Sequence, residues 1–134
     1  MRRHRPDEDG AAVVDFVLLS VLLVLLLLAV LQVAIYFYAR NIVAASAADA
    51  ARFAAAEHVD PAAGGPRAER LVHAGLDERD ASAIHCIGEP GRDAASGLTV
   101  ARVHCRGHLH LLFSGLPVPL TIDVTSAVLR EGRP

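Results

Sequence analysis

The chain has 134 residues, with 13 Arg, no Lys, 15 acidic side chains and a formal net charge of −2. That balance supplies no overall field for nucleic acid, and without Trp and with few aromatics there is no platform for stacked bases. A chain this short also lacks a core large enough to surround a long helix that is apolar on all sides.

Residues 1–10, MRRHRPDEDG, form a polar leader with Arg2, Arg3 and Arg5 followed by Asp7, Glu8 and Asp9. Gly10 closes the leader, AAVVD opens the apolar phase, and Asp15 is the fifth residue after Gly10. A carboxylate at the edge of an apolar span is expensive in lipid and calls for a partner. Cleavage after Gly10 would leave no side chain obstructing the scissile bond and would expose an α-amine on Ala11. Ala11 and Asp15 are one helical turn apart, so amine and carboxylate share a face; the carboxylate could equally neutralise the amine of a neighbouring subunit. The plainer alternative is an acid in the first turn of a helix, where the dipole favours it.

Residues 16–39, FVLLSVLLVLLLLAVLQVAIYFYA, are 24 positions without a formal charge, nine of them Leu. A helix of that length rises about 36 Å, enough to cross a hydrocarbon core of about 30 Å with some tilt. Tyr36 and Tyr38 suit the membrane–water boundary. The expectation is one transmembrane helix within residues 11–39. Basic residues flank it on both sides, and the excess before the span places the N-terminus inside and residues 40–134 outside. A cleavable secretory signal fits less well, because the apolar run is too long and the nearest small-x-small site, Ala45-Ser46-Ala47, lies beyond Arg40.

Residues 40–60 contain no Gly or Pro and are dominated by Ala, the best helix former. The span is expected to continue as a helical stem that ends before Pro61. Ala44/Ala48 and Ala47/Ala51 have the small-xxx-small spacing that admits a second helix; the alternative is a simple helical spacer. Asp49 is placed for a local ion pair with Arg52.

The order of a charged leader, Gly, AAVVDF, a Leu-rich span, YFYARN and an Ala-rich AARFA run resembles the TadE-like proteins, minor pseudopilins of tight-adherence, type IVb-like pilus systems. The resemblance implies that a prepilin peptidase removes the leader after Gly10 and that Ala11 becomes the first mature residue. It makes Asp15 the counterpart of the family's Glu; Asp here is shorter by one methylene. It also implies membrane-embedded partners, other pilins or pseudopilins, meeting the chain through its N-terminal helix.

Residues 61–81 begin with the breaker cluster PAAGGP, followed by RAERLVHAGLDER, which suits a short amphipathic helix covering a sheet, with His73 on its surface. In residues 82–134, ASAIHCI reads as a strand and GEPGRDAASG as a loop. LTVARVHC alternates, with Thr99, Ala101, Val103 and Cys105 on one face. LHLLF extends this strand or starts another, and SGLPVP is a turn. LTIDVTSAV puts Leu120, Ile122, Val124, Ser126 and Val128 on one face. The fold class is α+β: a long N-terminal helix, a short second helix, and an antiparallel sheet of three or four strands with the helices on one side.

Cys86 and Cys105 fall on the two strands that flank the proposed loop, so they can face each other across a hairpin. Outside the membrane an even cysteine count favours a disulfide. The rival is a metal site drawing on His85, His104, His108 and His110; it lacks a CxxC pair, and adjacent His–Cys residues in a strand point to opposite faces. No phosphate loop, GxSxG elbow or HExxH occurs. The expectation is a structural protein with no cofactor, metal, small-molecule substrate or nucleic-acid partner. The alternatives are a permanently anchored single-pass protein with a partner-binding ectodomain, unrelated to pili, and a secreted domain beginning near Ala48.

Overall fold

The computed structural model describes residues 6–110 and 120–130, with the backbone alone at 6–9. Helix α1 runs Pro6–Ala55. Pro at its first position is preset for helical φ and lacks only an N–H that would be unpaired anyway, and no Gly or Pro interrupts residues 11–55. The helix stops at Ala55, five residues short of the expected end. Asp60 is extended (φ −68°, ψ 126°) and its side chain accepts from Ala62 N–H at 2.9 Å, capping a 3-10 turn at Pro61–Ala63. Upstream, the Val59 carbonyl accepts from the Arg130 guanidinium at 3.1 Å.

Helix α2 follows at Gly64–Gly75, then the single turn α3 at Glu78–Ala81. The PAAGGP segment is therefore helical, where the sequence suggested a break. Gly64 and Gly65 sit in the first turn of α2 because the sheet comes too close for a side chain. A Cβ on Gly65 would lie 2.7 Å from the Cys86 carbonyl oxygen, and one on Gly64 2.7 Å from a Val103 methyl.

Strands β1 (Ile84–Arg92), β2 (Thr99–Leu109) and β3 (Leu120–Leu129) form one antiparallel sheet in the order β1-β2-β3. β1 extends through Gly88-Glu89-Pro90-Gly91, which the sequence reading assigned to a loop. The turn itself is confined to residues 93–98. There Asp93 N–H donates to Leu98 O (2.9 Å), the Asp93 carboxylate accepts from Ser96 N–H and Oγ–H, and Gly97 adopts φ 70°. Pro90 is tolerated because of strand phase. Cys86 N–H points away from β2, toward Glu69, and N–H direction repeats every second residue, so the N–H missing at Pro90 belongs to the outer edge. β2 passes Gly107 without a break and takes in His108 and Leu109. The expected strand continuation at 111–113 and the turn at 114–119 lie outside the described residues.

The chain divides into two compact units, Met1–Ile35 and Tyr36–Pro134. In the second, Ala39, Val43, Ala47, Ala50 and Ala51 of α1 join Ala68 and Val72 of α2 over one face of the sheet, against Ile84, Cys86, Val103, Cys105 and Ile122. The three-to-four spacing of the α1 residues makes a single buried stripe, and their small size lets backbone approach sheet. The predicted inward faces of β2 and β3 are observed except at the start of β2: Ala101, Val103, Cys105 and Ile122 are buried and Thr121, Asp123 and Thr125 exposed, but Thr99 is exposed and Val100 buried.

Candidate membrane-anchoring and processing site

Gly10, Ala11 and Asp15 all lie in the first turns of α1 and are exposed. Ala11 and Asp15 are one turn apart, as their spacing requires. Gly10 has no packing role in the fold: a Cβ there would meet nothing within 4 Å. A helical Gly without a compensating contact costs about 1 kcal/mol relative to Ala.

Beyond Asp15 the apolar side chains are uncovered; Phe16 is 71% exposed and Leu23 66%. One described helix is long and apolar enough to cross a membrane, and none of its most apolar window is buried. A core helix of a soluble protein would be mostly covered, and soluble monomers rarely leave so large a contiguous apolar surface in water. The hydroxyl of Ser20 donates to the Phe16 carbonyl at 2.7 Å, which satisfies it without water.

Of the four Ala residues singled out for packing, Ala47 and Ala51 are fully buried within the chain's own core, and Ala44 and Ala48 are half-buried beside it. The Asp49 carboxylate is taken by Arg67 of α2, not by Arg52. The Arg67 Nε and Nη2 donate to Asp49 Oδ2 at 3.0 and 2.9 Å, and the guanidinium lies 4.6 Å over the Phe53 ring centroid. The pair spans a 3-10 turn and a helix start that read as a breaker segment, so sequence spacing carried no signal for it.

Cys86 and Cys105 are directly paired across β1 and β2, with Cα atoms 4.1 Å apart and sulfurs 2.07 Å apart, disulfide distance. Both face the core, away from His85 and His104. The outward Cys86 N–H donates to Glu69 Oε1 of α2 at 3.0 Å. Among the described residues no three His, Cys, Asp or Glu side chains converge as a metal ligand set.

On the outer face Asp123 accepts from Arg106 Nε and Nη2 (3.1 and 2.9 Å) and bonds His104 Nε2 at 2.8 Å. The His104 bond, then Arg106, hold this carboxyl below its ordinary range. Asp93 is held low by its side-chain and backbone bonds from Ser96. Asp80 ties α3 to the end of β2, accepting the His110 N–H at 3.0 Å.

An N-terminal helix of this length and apolarity, leading into a small α+β unit, is consistent with a protein anchored in a membrane by a single span. The family profile described as TadE-like protein matches residues 10–52, about a third of the chain. This is the family that the sequence resembles, and the matched segment holds Gly10, Asp15, the apolar helix and most of the Ala-rich stem. No curated protein and no solved structure matches the chain.

Proposed function

We propose that this chain is a pseudopilin-like structural subunit that is anchored in the cytoplasmic membrane by α1 and takes part in building or anchoring a tight-adherence pilus. A prepilin peptidase removes residues 1–10 after Gly10. The carboxylate of Asp15 then neutralises the new amine of Ala11, on its own chain or on an adjacent subunit. The unit Tyr36–Pro134 lies on the extracytoplasmic side, where an oxidising compartment maintains the Cys86–Cys105 pair. Other pilins or pseudopilins meet the chain through the exposed apolar face of α1. With Ala47 and Ala51 already buried, small-residue packing by a neighbouring stem falls to Ala44 and Ala48.

The observation that carries this reading is Gly10. It sits within the family match, five residues before Asp15, at a position where nothing in the fold requires the absence of a side chain. A requirement from outside the fold, a peptidase that must reach the bond, accounts for it. The helical cost of Gly also makes local unwinding at the 10–11 bond easier.

The test is co-expression with a prepilin peptidase, reading the cut by mobility and N-terminal sequencing. Wild type should be cut between Gly10 and Ala11, and Gly10→Glu should not be cut. Normal maturation of Gly10→Glu would remove the processing step and leave the permanently anchored reading.

A further inference from the structure

Apart from the boundary tyrosines, residues 16–39 contain two polar side chains, Ser20 and Gln32. They are served differently. The Ser20 hydroxyl donates to the Phe16 carbonyl at 2.7 Å, so its own helix satisfies it. Gln32 carries its amide on a longer stem and makes no side-chain hydrogen bond among the described residues.

Depth turns this difference into a demand. Gln32 lies eight residues before Arg40 and 17 after Asp15, about 12 Å and about 26 Å along α1 at about 1.5 Å per residue. It therefore falls within a hydrocarbon core of about 30 Å. Helical side chains lean toward the N-terminus, so the Gln32 amide is directed back past Leu28, toward mid-bilayer. It points away from the nearer boundary at Tyr36–Arg40 and cannot snorkel out to it. Acyl chains offer neither donor nor acceptor, and an unpaired amide among them is costly.

We infer that Gln32 is the contact through which α1 pairs, side by side and in the same direction, with α1 of a second copy of this chain. The partner follows from depth, chemistry and spacing. Copies inserted in the same sense run parallel in one membrane, so position 32 of each stands at the same depth. A carboxamide holds both a donor and an acceptor, so two of them related by a two-fold axis along the membrane normal satisfy each other. Leu25, Leu28, Gln32 and Ile35 follow the three-four-three spacing of a left-handed helix pair, and Ala29, three residues before Gln32, leaves room beside the amide. Because α1 is apolar all round, packing alone favours no face; one polar residue on the seam fixes rotation and register. The pairing rests on α1 being a membrane span. It names one partner for the subunit contact proposed above, and it does not require removal of the leader.

The test is disulfide trapping of the full chain in membrane vesicles from an expression host without pilus or prepilin-peptidase genes. Cys86 and Cys105 stay paired with each other, and single cysteines are placed around α1. At 3.6 residues per turn, Leu25 and Leu28 share the face of Gln32, while Leu23 and Val30 lie opposite. Leu25→Cys and Leu28→Cys should form homodimers at least about fivefold faster than Leu23→Cys and Val30→Cys. Adding Gln32→Leu to Leu28→Cys should lower the dimer yield about tenfold; adding Gln32→Asn, which keeps the amide, should retain most of it. Equal trapping at the four positions, or a same-face preference that survives Gln32→Leu, would overturn the inference. So would an absence of homodimers, which would assign Gln32 to a different subunit. Alkaline carbonate extraction of the same vesicles separates this inference from the anchor: a chain that stays with the lipid and does not pair refutes the pairing alone, and a chain that is released refutes the span as well.

Discussion

Gly65→Ala tests the packing of α2 on β1, because two effects of opposite sign meet there. Replacing a helical Gly by Ala stabilises by at most about 1 kcal/mol, and by less in a first turn. Against this, the new Cβ would lie 2.7 Å from Cys86 O, 3.0 Å from Gly88 N and 3.2 Å from Ile87 Cα. All three are backbone atoms of a strand that is hydrogen-bonded to β2, so they cannot step aside as a flexible side chain would. Overpacking of this kind costs about 1–3 kcal/mol. Pushing the helix off the strand also lengthens the Glu69–Cys86 bond, and a bond to a charged acceptor contributes about 1.5–3 kcal/mol when intact, toward the low end for a half-exposed carboxylate. The clash wins, with a net loss of about 2 kcal/mol, or about 8–16 °C in Tm for a domain of this size. Exchange of the buried Val103 and Cys105 amides in the micelle-bound chain reads the loss without interference from α1. Gly10→Ala is the internal control: the same substitution in a helix with no atom within 4 Å of the new Cβ, expected to leave those amides unchanged. A neutral or stabilising Gly65→Ala would refute the close approach of helix and strand.

Three further outcomes are expected. Replacing both cysteines (Cys86→Ala with Cys105→Ala) removes a cross-link between residues 19 apart; the loop-entropy relation gives a loss of about 3 kcal/mol, to be checked by exchange or denaturant titration, and an unchanged stability would contradict a formed disulfide. Asp49→Asn should cost less than about 1 kcal/mol, because its side chain is 49% exposed and that of Arg67 36%; a double-mutant cycle with Arg67→Gln isolates the coupling. Asp123 is held low in the folded state, so its contribution is present above the unfolded carboxylate value of about 3.9 and is lost as pH falls through the lower folded value. Asp123→Asn should therefore flatten the acid limb of the stability–pH curve below about pH 4; an acid limb as steep as that of the wild type would contradict the assignment.

The parts of the fold legible in the sequence are those in which local pattern and tertiary demand agree. The unbroken apolar run made α1, alternation assigned the faces of β3 and of most of β2, and two cysteines on adjoining strands either side of one loop paired. The parts that were not legible are those in which packing overrides composition. Gly64-Gly65-Pro66 reads as a breaker but starts a helix, because only Gly fits beneath the strand. Gly88-Glu89-Pro90-Gly91 reads as a loop but is strand, because Pro90 lacks only an N–H that points outward and Gly88 yields room to the 3-10 turn. Asp49 found Arg67 through the fold, not through helical spacing. At the candidate site, Gly10, Ala11 and Asp15 stand at the helical positions their spacing implied. The burial of Ala47 and Ala51 in the chain's own core required knowledge of where α2 and the sheet would lie.

The most direct measurement is the intact mass of the protein extracted from native membranes with detergent. The account predicts a membrane-bound species that begins at Ala11, lighter than the encoded chain by residues 1–10 and by the two hydrogens of a formed disulfide. A species beginning at Met1 or Arg2, a soluble product beginning near Ala48, or a full-length chain that stays monomeric in water without detergent would contradict it.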